Sequence, residues 1–270
     1  MNKDLAKIEF YFPKGDFQQK EDIVDGIVSQ MTKNDSLGYC GYADTALLRE
    51  GLLDHLGKGD VHQYQTLSEE HQGIIEDTVY AAIEKSNEQL PLPTKNFVFV
   101  HPYLPEESDR VFEGVMAVAV YSCVFHIFVD LSSYTRKSLE NTVAHELNHT
   151  IFYYHHYDDL NNYTLLDEVL LEGLAENFRE QYFDSATTKW AGALTKQEAR
   201  SVLEGLGPEQ LHSRSQTTIK GILFGDKTYK KWTGYSIGYW LVKIFREKNP
   251  NLSWDDLMKL PSDEFIKVLE

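Results

Sequence analysis

The sequence has 270 residues, of which 42% are hydrophobic and 25% charged, a composition typical of a globular protein with a sizeable core. A formal net charge of −16 and no run of Lys or Arg argue against nucleic-acid and membrane partners. Two cysteines are too few for a disulfide framework, and no stretch reaches the roughly 18 apolar residues of a membrane span. The start of the chain lacks a signal-peptide pattern, so a cytoplasmic location is the default expectation.

The first third of the chain has the pattern of one short strand followed by three helices. Residues 5–12 form a β-prone run that Pro13 ends, which predicts a strand. Apolar residues spaced by about 3.6 positions predict helices at 16–33 and 42–57 and a longer helix at about 64–89.

Two β-rich segments follow in the middle of the chain. Residues 96–100 predict one strand, and the Val- and Phe-rich run at 111–131 predicts two adjacent strands. A helix is expected next, from Ser132 or Ser133 to about His155.

The last part of the chain is helical. Thr164 and Asp167 fit an N-terminal capping box for a helix at about 164–183. Apolar periodicity predicts further helices at 195–205 and 234–250, and one or two short helices lie in the last 20 residues.

This order of elements predicts an α+β fold that is mostly helical, with a small sheet packed against the helix that ends near His155. No segment of the sequence has the composition of an obvious linker between domains. We expect an N-terminal, mainly helical region at 1–65 and a second domain at 66–270.

An H-E-x-x-H pattern, formed by His145, Glu146 and His149, lies inside that helix. A helix turns by about 100° per residue, so the two histidines lie one turn apart on the same face and can converge on one metal ion. Glu146 lies to one side of them, where its carboxylate can take a proton from a metal-activated water as the general base.

A zinc site of this kind needs a third protein ligand. The extended pattern with a third histidine, H-x-x-G-x-x-H, is absent, because no Gly stands at the required place after His149, and His155 and His156, which lie 6 and 7 residues further on, are given less weight. A glutamate on the next helix is the alternative, and that helix offers Asp167, Glu168, Glu172, Glu176 and Glu180.

Glu172 is the preferred ligand among these acidic residues. Gly173 follows it and would allow a second helix to approach closely, whereas Asp167 is expected to act as a helix cap. The pair Glu168 and Glu172 has the same spacing as the pair Glu172 and Glu176, so spacing alone leaves the register open. One carboxylate of such a pair can bind the metal while the next orients a liganding histidine.

Three segments together resemble a bacterial family described as predicted zinc-dependent proteases, a domain of unknown function. The segments are TVAHELNHT (142–150), TLLDEVLLEGLAENF (164–178) and GYSIGYWLVK (234–243), and the resemblance covers roughly residues 70–265. The family is in turn similar to the gluzincin metallopeptidases, which have an H-E-x-x-H helix and a glutamate ligand on a later helix. The resemblance implies a zincin-like fold.

The resemblance also implies roles for individual residues. It implies that His145, His149 and Glu172 are ligands of Zn²⁺ and that Glu146 is the general base. It implies that Glu176, one turn after the glutamate ligand, is hydrogen-bonded to a liganding histidine.

The oxyanion of the tetrahedral intermediate needs a further donor. Tyr235 and Tyr239 are candidates that the sequence does not distinguish, and His212 is a weaker one. The Val-rich segment at 115–121 or at 123–131 is a candidate edge strand for an extended substrate.

The sequence therefore predicts a zinc-dependent metallopeptidase that acts on a peptide or protein substrate. The alternative is a non-catalytic, peptidase-like protein in which the metal has a binding or regulatory role. The oligomeric state is not predicted.

Overall fold

A computed structural model describes residues 8–13, 17–33, 45–56, 61–102, 112–120, 122–156, 163–183 and 186–269. The strands are β1 (Ile8–Tyr11), β2 (Asn96–His101), β3 (Val115–Ala119) and β4 (Val124–Val129). The helices are α1 (Lys20–Lys33), α2 (Thr45–Leu56), α3 (Glu69–Asn87), α4 (Arg136–His155), α5 (Leu165–Tyr182), α6 (Lys196–Gly205), α7 (Pro208–Leu211), α8 (Gln216–Phe224), α9 (Thr233–Lys248), α10 (Trp254–Met258) and α11 (Ser262–Ile266), with short 3-10 turns at Val61–Thr66 and Lys267–Leu269.

The fold is α+β and mostly helical, as predicted, and the strands of the described residues form one mixed sheet. Its strand order is β1-β2-β4-β3, in which β1, β2 and β4 are parallel and β3 runs antiparallel to β4. The two adjacent strands predicted at 111–131 are therefore confirmed as β3 and β4. Of these two, β3 lies at the edge of the sheet.

Two compact units divide the chain. The first comprises residues 1–88 and 92–154 and contains the sheet, and the second comprises 89–91 and 155–270 and is helical. The division predicted between residues 65 and 66 stays a prediction. The predicted ends of the first strand and helices at 5–7, 16, 42–44 and 57 lie outside the described residues.

One face of the sheet is covered by the N-terminal helices. Its core contains Phe97, Phe99, Val124 and Phe128 from the sheet, together with residues of α1 and α2 such as Ile23, Val24, Ile27 and Leu52. Among the described residues, Tyr64, His101 and His126 are polar side chains buried together on this face. Tyr64 is hydrogen-bonded to Nδ1 of His101, and His101 Nε2 lies 2.9 Å from Nδ1 of His126.

The opposite face carries fully buried aliphatic and aromatic side chains, such as Val98, Val100, Phe125 and Ile127. The ring of Phe10 in β1 packs edge-on against Tyr80 of α3 on this side, with centroids 5.0 Å apart. Strand residues alternate between faces, so a two-sided hydrophobic sheet needs a layer of helices on each side.

A tight turn connects the end of β4 to the start of α4, and Gly114, just before β3, packs against it. Gly114 has a φ of +79°, and a side chain there would overlap the backbone of Ser133 and Tyr134. Asp130 accepts hydrogen bonds from Ser132 and Ser133, so both serines belong to this turn. The helix therefore begins later than predicted, at Arg136.

Helices α5 and α9 cross closely in the second unit. A Cβ atom on Gly173 would overlap the backbone of Gly238, and one on Gly238 would overlap the carbonyl of Val169. The predicted capping box of Thr164 and Asp167 is confirmed at the start of α5. Among the described residues, no helix is long and apolar enough to cross a bilayer.

We expect Gly238→Ala to lower the free energy of unfolding by about 3 kcal/mol, because the added methyl group must force α5 and α9 apart. Gly205→Ala is the matched control, since a side chain at Gly205 meets nothing within 4 Å. Urea denaturation of both variants measures the difference. Equal stability of the two variants would show that the close crossing is not needed.

Burial lowers the pKa of His101 to about 3, so the folded protein keeps this imidazole neutral. In the unfolded chain it titrates near its ordinary pKa of about 6.5. The contribution of neutral His101 to the free energy of unfolding is therefore fully present above pH ~6.5. It decreases by about 1.4 kcal/mol per pH unit as the pH falls from there towards the folded pKa.

We expect His101→Gln to be less stable at pH 7 but to lose less stability between pH 7 and pH 5 than the unaltered protein. Denaturation curves at the two pH values check this, with the exposed His62→Gln as control. An unchanged pH dependence in His101→Gln would contradict the assignment.

Candidate metal centre

Helix α4 begins with a reciprocal pair of hydrogen bonds that fixes its first turn. The amide of Thr135 donates to Oγ of Ser138 (2.9 Å), and the amide of Ser138 donates to Oγ1 of Thr135 (3.0 Å). These bonds satisfy amides that have no partner within the helix. The H-E-x-x-H pattern lies in the middle of α4, away from fraying ends.

His145, Glu146 and His149 form a compact group of metal-binding side chains. One donor atom from each lies within 4.8 Å of the other two. The imidazole centroids of His145 and His149 are 4.5 Å apart, with a 77° angle between the rings. His145 is half-buried, and the other two side chains are buried. Among the described residues, it is the one group of three such side chains that could hold a metal ion.

This donor set fits zinc. Imidazole nitrogens with a carboxylate suit Zn²⁺, whereas Mg²⁺ and Ca²⁺ prefer oxygen ligands alone. A helix supplies the one-turn spacing of the two imidazoles without strain. The prediction that His145 and His149 face the same way is confirmed by this geometry.

The carboxylate of Glu146 has a contact that sequence reasoning missed. Its Oε2 accepts a hydrogen bond of 2.6 Å from the backbone amide of Ala119, the last residue of β3. This contact links the edge of the sheet to the motif helix. The predicted packing of the sheet beside this helix is visible here.

The predicted third ligand, Glu172, lies on α5 in the second unit and is buried. Burial, together with the negative charges of Glu172 and Asp167, raises the pKa of its neighbour Glu168 to about 7. The surroundings of Glu168 therefore disfavour negative charge. The choice of Glu172 over Glu168 stays a prediction.

Glu176 is surrounded by donors from its own unit. Its Oε2 accepts hydrogen bonds from Arg179 (2.9 Å) and Thr188 (2.8 Å), and its Oε1 accepts one from the indole of Trp190 (2.9 Å). Glu176 and Arg179 are almost completely buried. These contacts attach the segment after α5 to the helix, a role that the sequence did not reveal. The predicted bond to a liganding histidine stays a prediction.

The two candidate tyrosines on α9 have different surroundings. The hydroxyl of Tyr239 donates to Glu180 (2.6 Å) and accepts from Lys243 (2.6 Å). The ring of Tyr235 is buried and packs edge-on against Trp232, with centroids 5.2 Å apart. Which of the two is an oxyanion donor stays open.

The remaining histidine candidates have contacts of other kinds. His212 is exposed, with Nε2 3.4 Å from Oδ1 of Asp263. His156 is hydrogen-bonded to the carbonyl of Met258. His155 ends α4 and is half-buried. The group of His145, Glu146 and His149 includes none of these three.

Comparison with known proteins agrees with this geometry. The family model described as "Predicted Zn-dependent protease (DUF2268)" matches residues 75–267. The uncharacterized protein YjaZ of Bacillus subtilis (strain 168) is 26% identical over 134 residues, which are 49% of this chain and 51% of that protein. The chain thus matches about half the length of this curated relative. No solved structure shows significant similarity. With the family model covering well over half of its length, the chain belongs to the predicted zinc-dependent protease family.

Proposed function

We propose that the protein is a zinc-dependent metallopeptidase that hydrolyses peptide bonds in a peptide or protein substrate. The observation on which the proposal rests is that donor atoms of His145, Glu146 and His149, all on α4, lie within 4.8 Å of one another. Membership of a family described as predicted zinc-dependent proteases supports it.

The metal ligands in this proposal are His145, His149 and, by the resemblance to gluzincins, Glu172. Bound zinc would supply Lewis-acid chemistry, polarising the scissile carbonyl and lowering the pKa of a water molecule. The helix holds the two imidazoles one turn apart, so little side-chain ordering is required when the metal binds.

Glu146 has the role of general base. Its carboxylate takes a proton as the oxygen of water attacks the carbonyl carbon, and later gives that proton to the leaving amine. Burial beside the edge strand excludes bulk water from one side of the carboxylate. A purely structural metal site has no need of such a base, which favours the catalytic hypothesis over a binding or regulatory role.

We expect the purified protein to contain about one zinc ion per chain. His145→Ala and His149→Ala should lose the metal on dialysis, because each removes a ligand. His155→Ala should keep it, since His155 is not part of the metal-binding group. Elemental analysis of the dialysed proteins checks all three.

Zinc analysis of the dialysed proteins also distinguishes Glu172 from Glu168 as the third ligand. Glu172→Gln should lose zinc and Glu168→Gln should retain it. Retention of zinc by Glu172→Gln, with loss by Glu168→Gln, would move the third ligand one turn towards the start of α5. Absence of zinc from the unaltered protein would contradict the metallopeptidase proposal.

We expect Glu146→Gln to keep its zinc and to lose turnover by about 100-fold or more, because the amide cannot accept the proton. Hydrolysis of an unfolded protein or a peptide library measures turnover. Glu140→Gln, a half-buried glutamate on the same helix, is the control. Full activity in Glu146→Gln would exclude this mechanism, and an inactive unaltered protein that still binds zinc would favour the non-catalytic alternative.

A further inference from the structure

The register of β3 against β4 decides which backbone groups of β3 point away from β4. The amide of Val120 donates to the carbonyl of Val124, and the amide of Asp130 donates to the carbonyl of Gly114. In an antiparallel pair such bonded positions alternate with unbonded ones. The even-numbered residues of β3 therefore bond to β4, and the N–H and C=O groups of the odd-numbered residues point away from it.

Three odd-numbered residues, Val115, Ala117 and Ala119, thus have backbone groups at the edge. Val115 exchanges both of its backbone hydrogen bonds with Phe112. Ala119 donates its N–H to Oε2 of Glu146 at 2.6 Å. The two alanines occupy equivalent edge positions and differ in that Ala119 contacts the carboxylate of the motif helix.

We infer that the backbone amide of Ala119 is a positioning group for the Glu146 carboxylate. The inference rests on the proposed peptidase function and adds a residue that the H-E-x-x-H pattern does not contain. A glutamate side chain has three rotatable bonds, and a short hydrogen bond from a rigid strand removes much of that freedom. The amide is rigid because its neighbours in β3 are bonded to β4.

The hydrogen bond from Ala119 also gives the two carboxylate oxygens of Glu146 different roles. Oε2 is occupied by Ala119, and Oε1 forms the new O–H bond when an O–H bond of water breaks. The electron pair of that broken bond forms the C–O bond to the substrate carbonyl carbon, while the π pair of the carbonyl moves to its oxygen and returns when the C–N bond breaks. When the C–N bond breaks, the proton moves from Oε1 to the nitrogen, and the carboxylate is restored while Oε2 stays bound.

Replacement of Ala119 by proline tests the inference, because proline has no N–H. Proline is tolerated at an edge position whose N–H points away from the ladder, so the β3–β4 pairing is retained. Ala117→Pro is the matched control, with the same residue change at the neighbouring outward-facing position. An amide-to-ester change at Ala119, with the same change at Ala117 as control, removes the N–H without proline's ring if the proline variant does not fold.

Two measurements are compared. In steady-state kinetics we expect Ala119→Pro to lower kcat by about 10- to 100-fold with KM and zinc content unchanged, and to lower it no further in a Glu146→Gln background. In urea denaturation, Ala119→Pro should shift the midpoint less in a Glu146→Ala background than in the unaltered protein, whereas the shift from Ala117→Pro should be the same in both.

The inference is overturned if Ala119→Pro shifts the urea midpoint equally in the unaltered protein and in the Glu146→Ala background. It is also overturned if the two shifts differ but Ala119→Pro leaves kcat unchanged. A further loss of kcat from Ala119→Pro in the Glu146→Gln background would also overturn it, because the effect would then come from the strand as a whole. An unaltered protein without turnover would count against the proposed peptidase alone. The denaturation cycle would still decide whether Ala119 holds Glu146.

Discussion

A carboxylate that is removed from water must meet hydrogen-bond donors or a cation, and this requirement shapes both units of the protein. Glu176 meets it with a buried arginine, a threonine and an indole, all in the second unit. Glu146 meets it with a strand amide in the first unit. In our proposal Glu172 meets it with a metal ion. Each solution requires a different neighbour.

The number of hydrogen-bond donors around a buried carboxylate distinguishes a structural role from a catalytic one. Glu176 accepts three hydrogen bonds from side chains of its own unit, which makes it a fixed link between α5 and the segment that follows. Glu146 accepts one from the backbone, so one oxygen remains for chemistry. Buried His101 follows the same rule without charge, because its imidazole is hydrogen-bonded to Tyr64 and His126 while its pKa is lowered by burial.

Local patterns in the sequence predicted much of this molecule. The capping box of Thr164, the two strands before α4 and the one-turn spacing of His145 and His149 depend on residues that are close in sequence. The strand order, the contact of Ala119 with Glu146 and the donors around Glu176 depend on residues brought together by folding. The helix start was predicted too early because Ser132 and Ser133 are typical caps, yet both bond to Asp130 in the preceding turn.

An open sheet edge invites pairing with a strand from another molecule, and soluble proteins commonly protect such edges with charge. In β3 the amide at Ala119 is occupied by a negatively charged side chain from a different element. A foreign strand that paired along β3 would have to displace this carboxylate. The residue proposed as the base thus also limits which chains can align at the edge, so that self-association and access to the site are governed by the same hydrogen bond.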